Sequence, residues 1–304
     1  MVRYDKSTAQ RGEQYIEDRR RAGGSRGKVA GGVVGGGGII GVIIAIIVAL
    51  TSGGGGSGFD ITNAGFDTGA GPVQADSGGP AVDPQAETRE YVAALMADIQ
   101  DTWSEYFERA GLNYTETKLV LFTDAVQTGC GNATAGVGPF YCPAPGDNKV
   151  YIDLTFYDEL ATRFQAPGDF AQAYVIAHEI GHHIQYLTGI SDKVRQAQQE
   201  DPGNANEYSV RMELQADCLA GVWGYSANQR TTESGRPILE AGDVDEGLRA
   251  AQAVGDDSIQ SQAGMSINPD TWTHGSAESR AKWFRQGFTS GDPESCDTFA
   301  ASEV

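Results

Sequence analysis

Histidine is scarce in this chain: four in 304 residues. Cations are scarce as well, with 22 Lys and Arg against 41 Asp and Glu, for a net charge of −19. So acidic a body excludes nucleic acid as a partner, because phosphates need positive charge. The four cysteines, Cys130, Cys142, Cys218 and Cys296, include no Cys-x-x-Cys pair, so no thiolate zinc pattern is present. A glycine-rich phosphate loop following a strand is missing, and so is a serine-nucleophile motif.

Basic residues are plentiful in one place only. Residues 1–28 hold eight Lys or Arg against four acids. Directly after them lies the one long uncharged, apolar run, Ala30 to Leu50. Eighteen helical residues from Val33 would span about 27 Å, enough for a bilayer core. The Ile39–Leu50 portion also fits a signal-peptide core. The long charged region ahead of it and the absence of a small-x-small cleavage site favour an uncleaved anchor. The positive-inside rule then predicts a cytoplasmic tail over 1–30, a transmembrane helix over 31–50 and an extracytoplasmic body at the cell surface or in the periplasm. Residues 51–87, rich in Gly, Ala, Asp and Pro, read as a flexible tether, leaving 88–304 as the folded domain. An even cysteine count in an exported chain predicts two disulfides. Three connectivities are possible. Cys130–Cys142, closing a short Gly-rich loop, is favoured, which leaves Cys218–Cys296.

The body alternates helical and strand patterns. Val92, Leu95, Met96, Ile99, Trp103, Tyr106 and Phe107 recur at helical spacing between Glu87 and Ala110. Lys118–Thr123 reads as a strand, and Val126–Gly138 as a Gly-rich connection. Phe140–Pro143 and Lys149–Leu154 suggest a second strand region around a turn at Pro143–Asp147. A strand ahead of the following helix is placed to bind an extended substrate by strand addition. Further helices are expected over Phe156–Phe164, Ser191–Glu200, Ala205–Asn228 and Ser276–Gly287.

Three of the four histidines fall in one stretch, Val175-Ile176-Ala177-His178-Glu179-Ile180-Gly181-His182-His183-Ile184. Apolar residues from Phe170 to Leu187 give it a broad buried face, with Asp169 placed to cap its start and Gly189 to close its end. On a helix, His178 and His182 lie one turn apart on one face, spaced to grip one metal ion. Glu179, beside the first ligand, reaches a water on that metal. This is the His-Glu-x-x-His pattern of zinc hydrolases. A catalytic zinc takes three protein ligands. His183 sits about 100° round the helix from His182 and does not join the same ion. Positions 185 and 188 are Gln and Thr, so a third histidine downstream is absent. Glu213 is the better third ligand. Asp217, one turn further along the same helix, is placed to accept the other ring N–H of a ligand histidine.

His178-Glu179-x-x-His182 followed by Glu213-x-x-x-Asp217 resembles the gluzincin arrangement of zinc metallopeptidases. More narrowly, the chain resembles the bacterial neutral zinc metallopeptidases sometimes called YpfJ-like. The likeness rests on Ile16–Arg20 ahead of a Gly-rich apolar run, Gly138–Pro143, Ala177–His183, Glu213–Cys218, and His274-Gly275-Ser276 leading into Trp283-Phe284. It implies an α+β, zincin-like domain, mostly helical with a small sheet. It also implies zinc on His178, His182 and Glu213, with Glu179 as general base and Asp217 behind the ligands. His274 is implied as an oxyanion stabiliser, against the alternative of a helix-capping or surface residue. The expected activity is hydrolysis of a peptide or protein substrate outside the cytoplasm. The alternative is a membrane-tethered, non-catalytic zinc module that binds an envelope partner; a structural site, however, has no use for Glu179.

Overall fold

The computed structural model describes residues 2–20 and 83–304. Its sheet has four strands in the order β1 (Ile16–Asp18), β2 (Lys118–Phe122), β6 (Lys149–Asp153) and β5 (Phe140–Cys142). The first three run parallel, and β5 returns antiparallel beside β6, pairing Tyr141 with Val150. Side chains alternate between the two faces. Leu119, Leu121, Val150 and Ile152 join the main core under the helices. Val120, Phe122 and Tyr151 point the other way into a smaller core. That second core is roofed by a hairpin, β3 (Ala125–Thr128) with β4 (Gly131–Thr134), whose Val126 and Ala133 face inward. The hairpin occupies the stretch expected as a plain Gly-rich connection. Its tip is joined to β5 by a Cys130–Cys142 disulfide, which holds so short a ribbon in place.

Nine α-helices complete the described residues. α1 (Lys6–Gly12) lies on α2 (Ala86–Arg109). α3 (Phe156–Thr162) precedes the central α4 (Asp169–Leu187), and α5 (Ile190–Glu200) leads to α6 (Ala205–Asn228). α7 (Asp243–Ala253), α8 (Asp256–Gln262) and α9 (Ala277–Ser290) close the body. α4 starts differently from the sequence reading. Asp169 is its first helical residue rather than its cap, and the Phe170 N–H of the first turn is taken 3.2 Å away by Glu246 of α7. Its end does follow the reading: Gly189 adopts a left-handed conformation, φ 74°, which only glycine takes without strain.

Glycines set the closeness of the helix crossings. A Cβ on Gly181 would lie 3.0 Å from the backbone of Ala216, so α4 and α6 touch there. On α9, a Cβ at Gly287 would meet the Cys218 carbonyl at 1.8 Å, and one at Gly221 of α6 would meet the Phe284 carbonyl at 2.1 Å. A second disulfide, Cys218–Cys296, fastens α6 to the C-terminal segment.

One expectation is overturned. Among the described residues no helix is long and apolar enough to cross a membrane. The transmembrane helix, and with it the single-pass placement of a cytoplasmic tail apart from an extracytoplasmic body, is therefore corrected. The physical reason lies in residues 2–20. They supply β1, paired in register with β2 (Glu17 opposite Val120). They bury Val2, Ala9 and Tyr15 in the body. Arg20 pairs with Asp83, and Arg89 with Glu13. A segment built into the sheet is not a tail lying across a bilayer from it. The run at 31–50 and the tether up to residue 82 lie outside the described residues.

Candidate metal centre

α4 presents His178 and His182 from one face, and α6 presents Glu213 opposite them. The Gly181–Ala216 contact brings the two helices close enough for these side chains to meet. His178 Nε2 lies 3.2 Å from Glu213 Oε2, and His182 Nε2 lies 3.4 Å from Glu213 Oε1. One atom from each residue falls within 4.8 Å of the other two. A tetrahedral zinc with bonds of about 2.0–2.1 Å separates its ligand atoms by about 3.3 Å. The residues therefore fit a zinc ion, and two imidazoles with one carboxylate suit that metal. A second convergence of acids, Asp169, Asp243 and Glu246, sits at the start of α4. It contains no imidazole, and backbone N–H groups of Val2 and Phe170 already bond Asp169 and Glu246.

Each of the two imidazoles is fixed from behind. His178 Nδ1 lies 2.8 Å from Asp217 Oδ1, which turns Nε2 toward Glu213. His182 Nδ1 lies 2.9 Å from Gln185 Oε1. Gln185 in turn donates to the Met212 carbonyl at 2.7 Å and to Gln215 Oε1 at 3.0 Å. Gln215 donates to the Cys296 carbonyl at 3.0 Å, beside the disulfide. Gln185, which with Thr188 departs from the extended three-histidine pattern, is thus the partner that orients His182.

Asp217 is fully buried and receives three more hydrogen bonds. They come from the Tyr174 hydroxyl at 2.5 Å and from Arg280 at 2.8 Å and 3.0 Å. Neither Tyr174 nor Arg280 stood out in the sequence. Tyr174 reads as one more apolar position of α4, and Arg280 as one more charge on α9. A single buried cation with five donors is the signal that finds the latter in three dimensions.

The electrostatics follow from this packing. Burial opposes a charged ring at His178, but Asp217 and Glu213 outweigh it and push its pKa up to about 10. At neutral pH the ring is cationic unless a metal ion takes the proton's place. Burial likewise opposes a charged ring at His182, but Glu213 outweighs it and the ring's pKa moves up. Glu213 is held well below the ordinary carboxylate range. Burial works against this, while His182, hydrogen bonds from both rings and His274 work for it. Glu179 goes the other way. Burial raises its carboxyl above the usual range, only partly offset by His182 and His178.

His274 precedes α9, whose N-cap is Ser276, accepting the Ser279 N–H at 3.0 Å. The capping role offered as one alternative for His274 therefore belongs to Ser276. His274 Nδ1 lies 3.1 Å from Asp256 Oδ1, and Asp256 Oδ2 accepts the N–H groups of residues 273, 274 and 275. The ring is near enough to Glu213 to help lower its pKa. His183 is used structurally. Its Nε2–H donates to the Thr115 carbonyl at 2.7 Å, and its Nδ1 accepts from the Tyr141 hydroxyl at 3.0 Å, tying α4 to β5.

A buried His-Glu-x-x-His helix crossed by a second helix carrying Glu-x-x-x-Asp defines a centre of the zinc metallopeptidase class. The chain belongs to the family described as "Putative neutral zinc metallopeptidase", whose model matches residues 6–299. It is 47% identical to the protein YpfJ of Escherichia coli (strain K12) over 247 residues, 81% of this chain and 82% of that one. It is 48% identical to the protein Rv2575 of Mycobacterium tuberculosis (strain ATCC 25618 / H37Rv) over 196 residues, 63% of this chain and 65% of the relative. No solved structure matches it.

Proposed function

We propose that this protein is a zinc-dependent peptidase that cleaves peptide bonds with Glu179 as general base. The observation that carries this is the convergence of one ligand atom each from His178, His182 and Glu213, within 4.8 Å of one another, beside a buried carboxylate that is not one of the three. His178, His182 and Glu213 hold the ion. When bound, zinc supplies Lewis acidity, polarising the scissile carbonyl and making water acidic near neutral pH.

Glu179 takes the proton of the attacking water. Its burial-raised pKa brings it toward the working pH, where a base is most effective. The same carboxyl then hands that proton to the leaving amine. His274, held at Nδ1 by Asp256, serves to stabilise the oxyanion of the tetrahedral intermediate. Strand β5 has β6 on one side and, among the described residues, no strand on the other. Its free edge accepts an extended peptide, and the Tyr141–His183 bond keeps that edge registered to the metal helix.

The test uses the full chain, because residues 2–20 belong to the fold. Bound metal is measured by elemental analysis, and hydrolysis of a mixed peptide library is followed for wild type and Glu179→Gln. One zinc in each protein, with cleavage by wild type alone and activity down at least about 1,000-fold in the variant, is expected. Folded wild type lacking stoichiometric zinc would refute the reading.

A further inference from the structure

We infer that Arg280 is a positioning residue for the zinc centre, acting through Asp217 to aim His178. This rests on the zinc reading above. Arg280 is 3% exposed, and its guanidinium is almost fully committed. Nε lies 2.8 Å from Asp217 Oδ2 and Nη2 lies 3.0 Å from Asp217 Oδ1, a two-pronged grip on one carboxylate. Nη1 donates to the Val254 carbonyl at 3.1 Å, beyond the end of α7, and Nη2 also reaches the Tyr174 hydroxyl at 3.2 Å.

The consequence for Asp217 is geometric. With both oxygens gripped by Arg280 and Oδ1 also bonded by Tyr174, the carboxylate cannot rotate. Oδ1, held in place by these donors, faces His178 Nδ1 at 2.8 Å. A ring that donates Nδ1–H there must present the lone pair of Nε2 to the metal. Arg280 also stands 4.0 Å from Glu213, so it neighbours a second member of the centre.

Charge points the same way. Three carboxylates stand together, Glu179 and Asp217 buried and Glu213 half-buried. A divalent cation and one guanidinium bring that group to neutrality. Without Arg280 the loaded centre keeps an uncompensated negative charge in a buried place, which is costly. Arginine suits the task better than lysine, because only its planar fork binds both oxygens of Asp217 at once.

The experiment compares wild type, Arg280→Gln and Arg280→Lys as full chains. Zinc dissociation constants are measured by competition with a chromophoric chelator. Visible absorption of the cobalt-loaded proteins reports ligand geometry, and thermal unfolding is followed without metal. Arg280→Gln is expected to bind zinc 10- to 100-fold more weakly, with an altered cobalt spectrum. Arg280→Lys, which restores charge but not the fork, is expected between the two. If Arg280→Gln does not fold, Arg280→Lys decides alone: binding at least about 5-fold weaker than wild type supports the inference. Zinc affinity and cobalt spectrum equal to wild type, even with a lowered unfolding temperature, would make Arg280 a structural tie only and overturn it. Wild type that takes up no zinc overturns the zinc reading itself, and this inference with it.

Discussion

Asp256 shows how much one side chain organises here. It collects three backbone N–H groups and the His274 ring. Burial would raise its pKa, but the hydrogen bond from His274 leads a set of contacts that hold it below the ordinary value. A depressed carboxyl contributes stability that is present above its unfolded pKa and is lost as pH falls through the folded one. Asp256→Asn should therefore unfold about 1–3 kcal/mol more easily at pH 7. That gap should narrow below about pH 4 and close once both pKa values are passed. Urea titrations at pH 7 and pH 3 check this, and a gap unchanged at pH 3 would disprove it. None of this network is visible in the sequence. The gathering of His178, His182, Glu213 and Asp217 is legible, because helical periodicity converts four-residue spacing into a shared face. Arg280, Tyr174 and Asp256 are not, because their partners lie far along the chain: Arg280 reaches Asp217 across 63 positions and Tyr174 across 106. No local period encodes such pairs.

At the scale of elements, the centre depends on how closely α9 and α6 approach. Helix propensity alone predicts that Gly287→Ala stabilises the protein by about 1 kcal/mol. Packing predicts the reverse, since the added Cβ would meet the Cys218 carbonyl at 1.8 Å and the backbones would have to part. Overpacking of this kind costs about 1–3 kcal/mol or more, so packing wins. Gly287→Ala should lower the thermal midpoint, and it should weaken zinc binding too, because parting α9 from α6 draws Arg280 off Asp217. A midpoint at or above that of wild type would show the crossing to be more compliant than this. Long helices with continuous apolar periods, such as 86–109 and 205–228, are readable in advance. α7 and α8 are not: their segments are short and polar, and they become helices by packing on α4 and α9. β1 escapes notice for a related reason, being three residues long within a basic stretch that reads as a tail.

For the whole molecule, the first twenty residues are the surprise. The Val2 N–H bonds Asp169 at the start of α4, and Arg3 pairs with Glu240 ahead of α7. Burying Val2 and Tyr15 is worth about 1.5–3 kcal/mol each. The surrounding ion pairs are partly exposed and add little. A chain lacking residues 1–20 should lose about 3–6 kcal/mol of unfolding free energy, less the entropy regained by leaving the segment unordered. Equilibrium denaturation measures this directly, and an unchanged midpoint and slope would show the segment to be an ornament. Gly12→Val in the full chain should act in the same direction, since a side chain there would strike the Ala93 carbonyl.

Those same contacts impose an order of events. β1 has no strand to pair with until β2 has been made, and the bonds of Val2 and Arg3 join residues 167 and 237 positions apart. During synthesis this segment leaves the ribosome before the residues it binds, so it must wait for distant parts of the chain before it has a place to go. Such distant closures are slow. Residues 2–18 are therefore among the last to reach their native places, although they are made before every partner they bind.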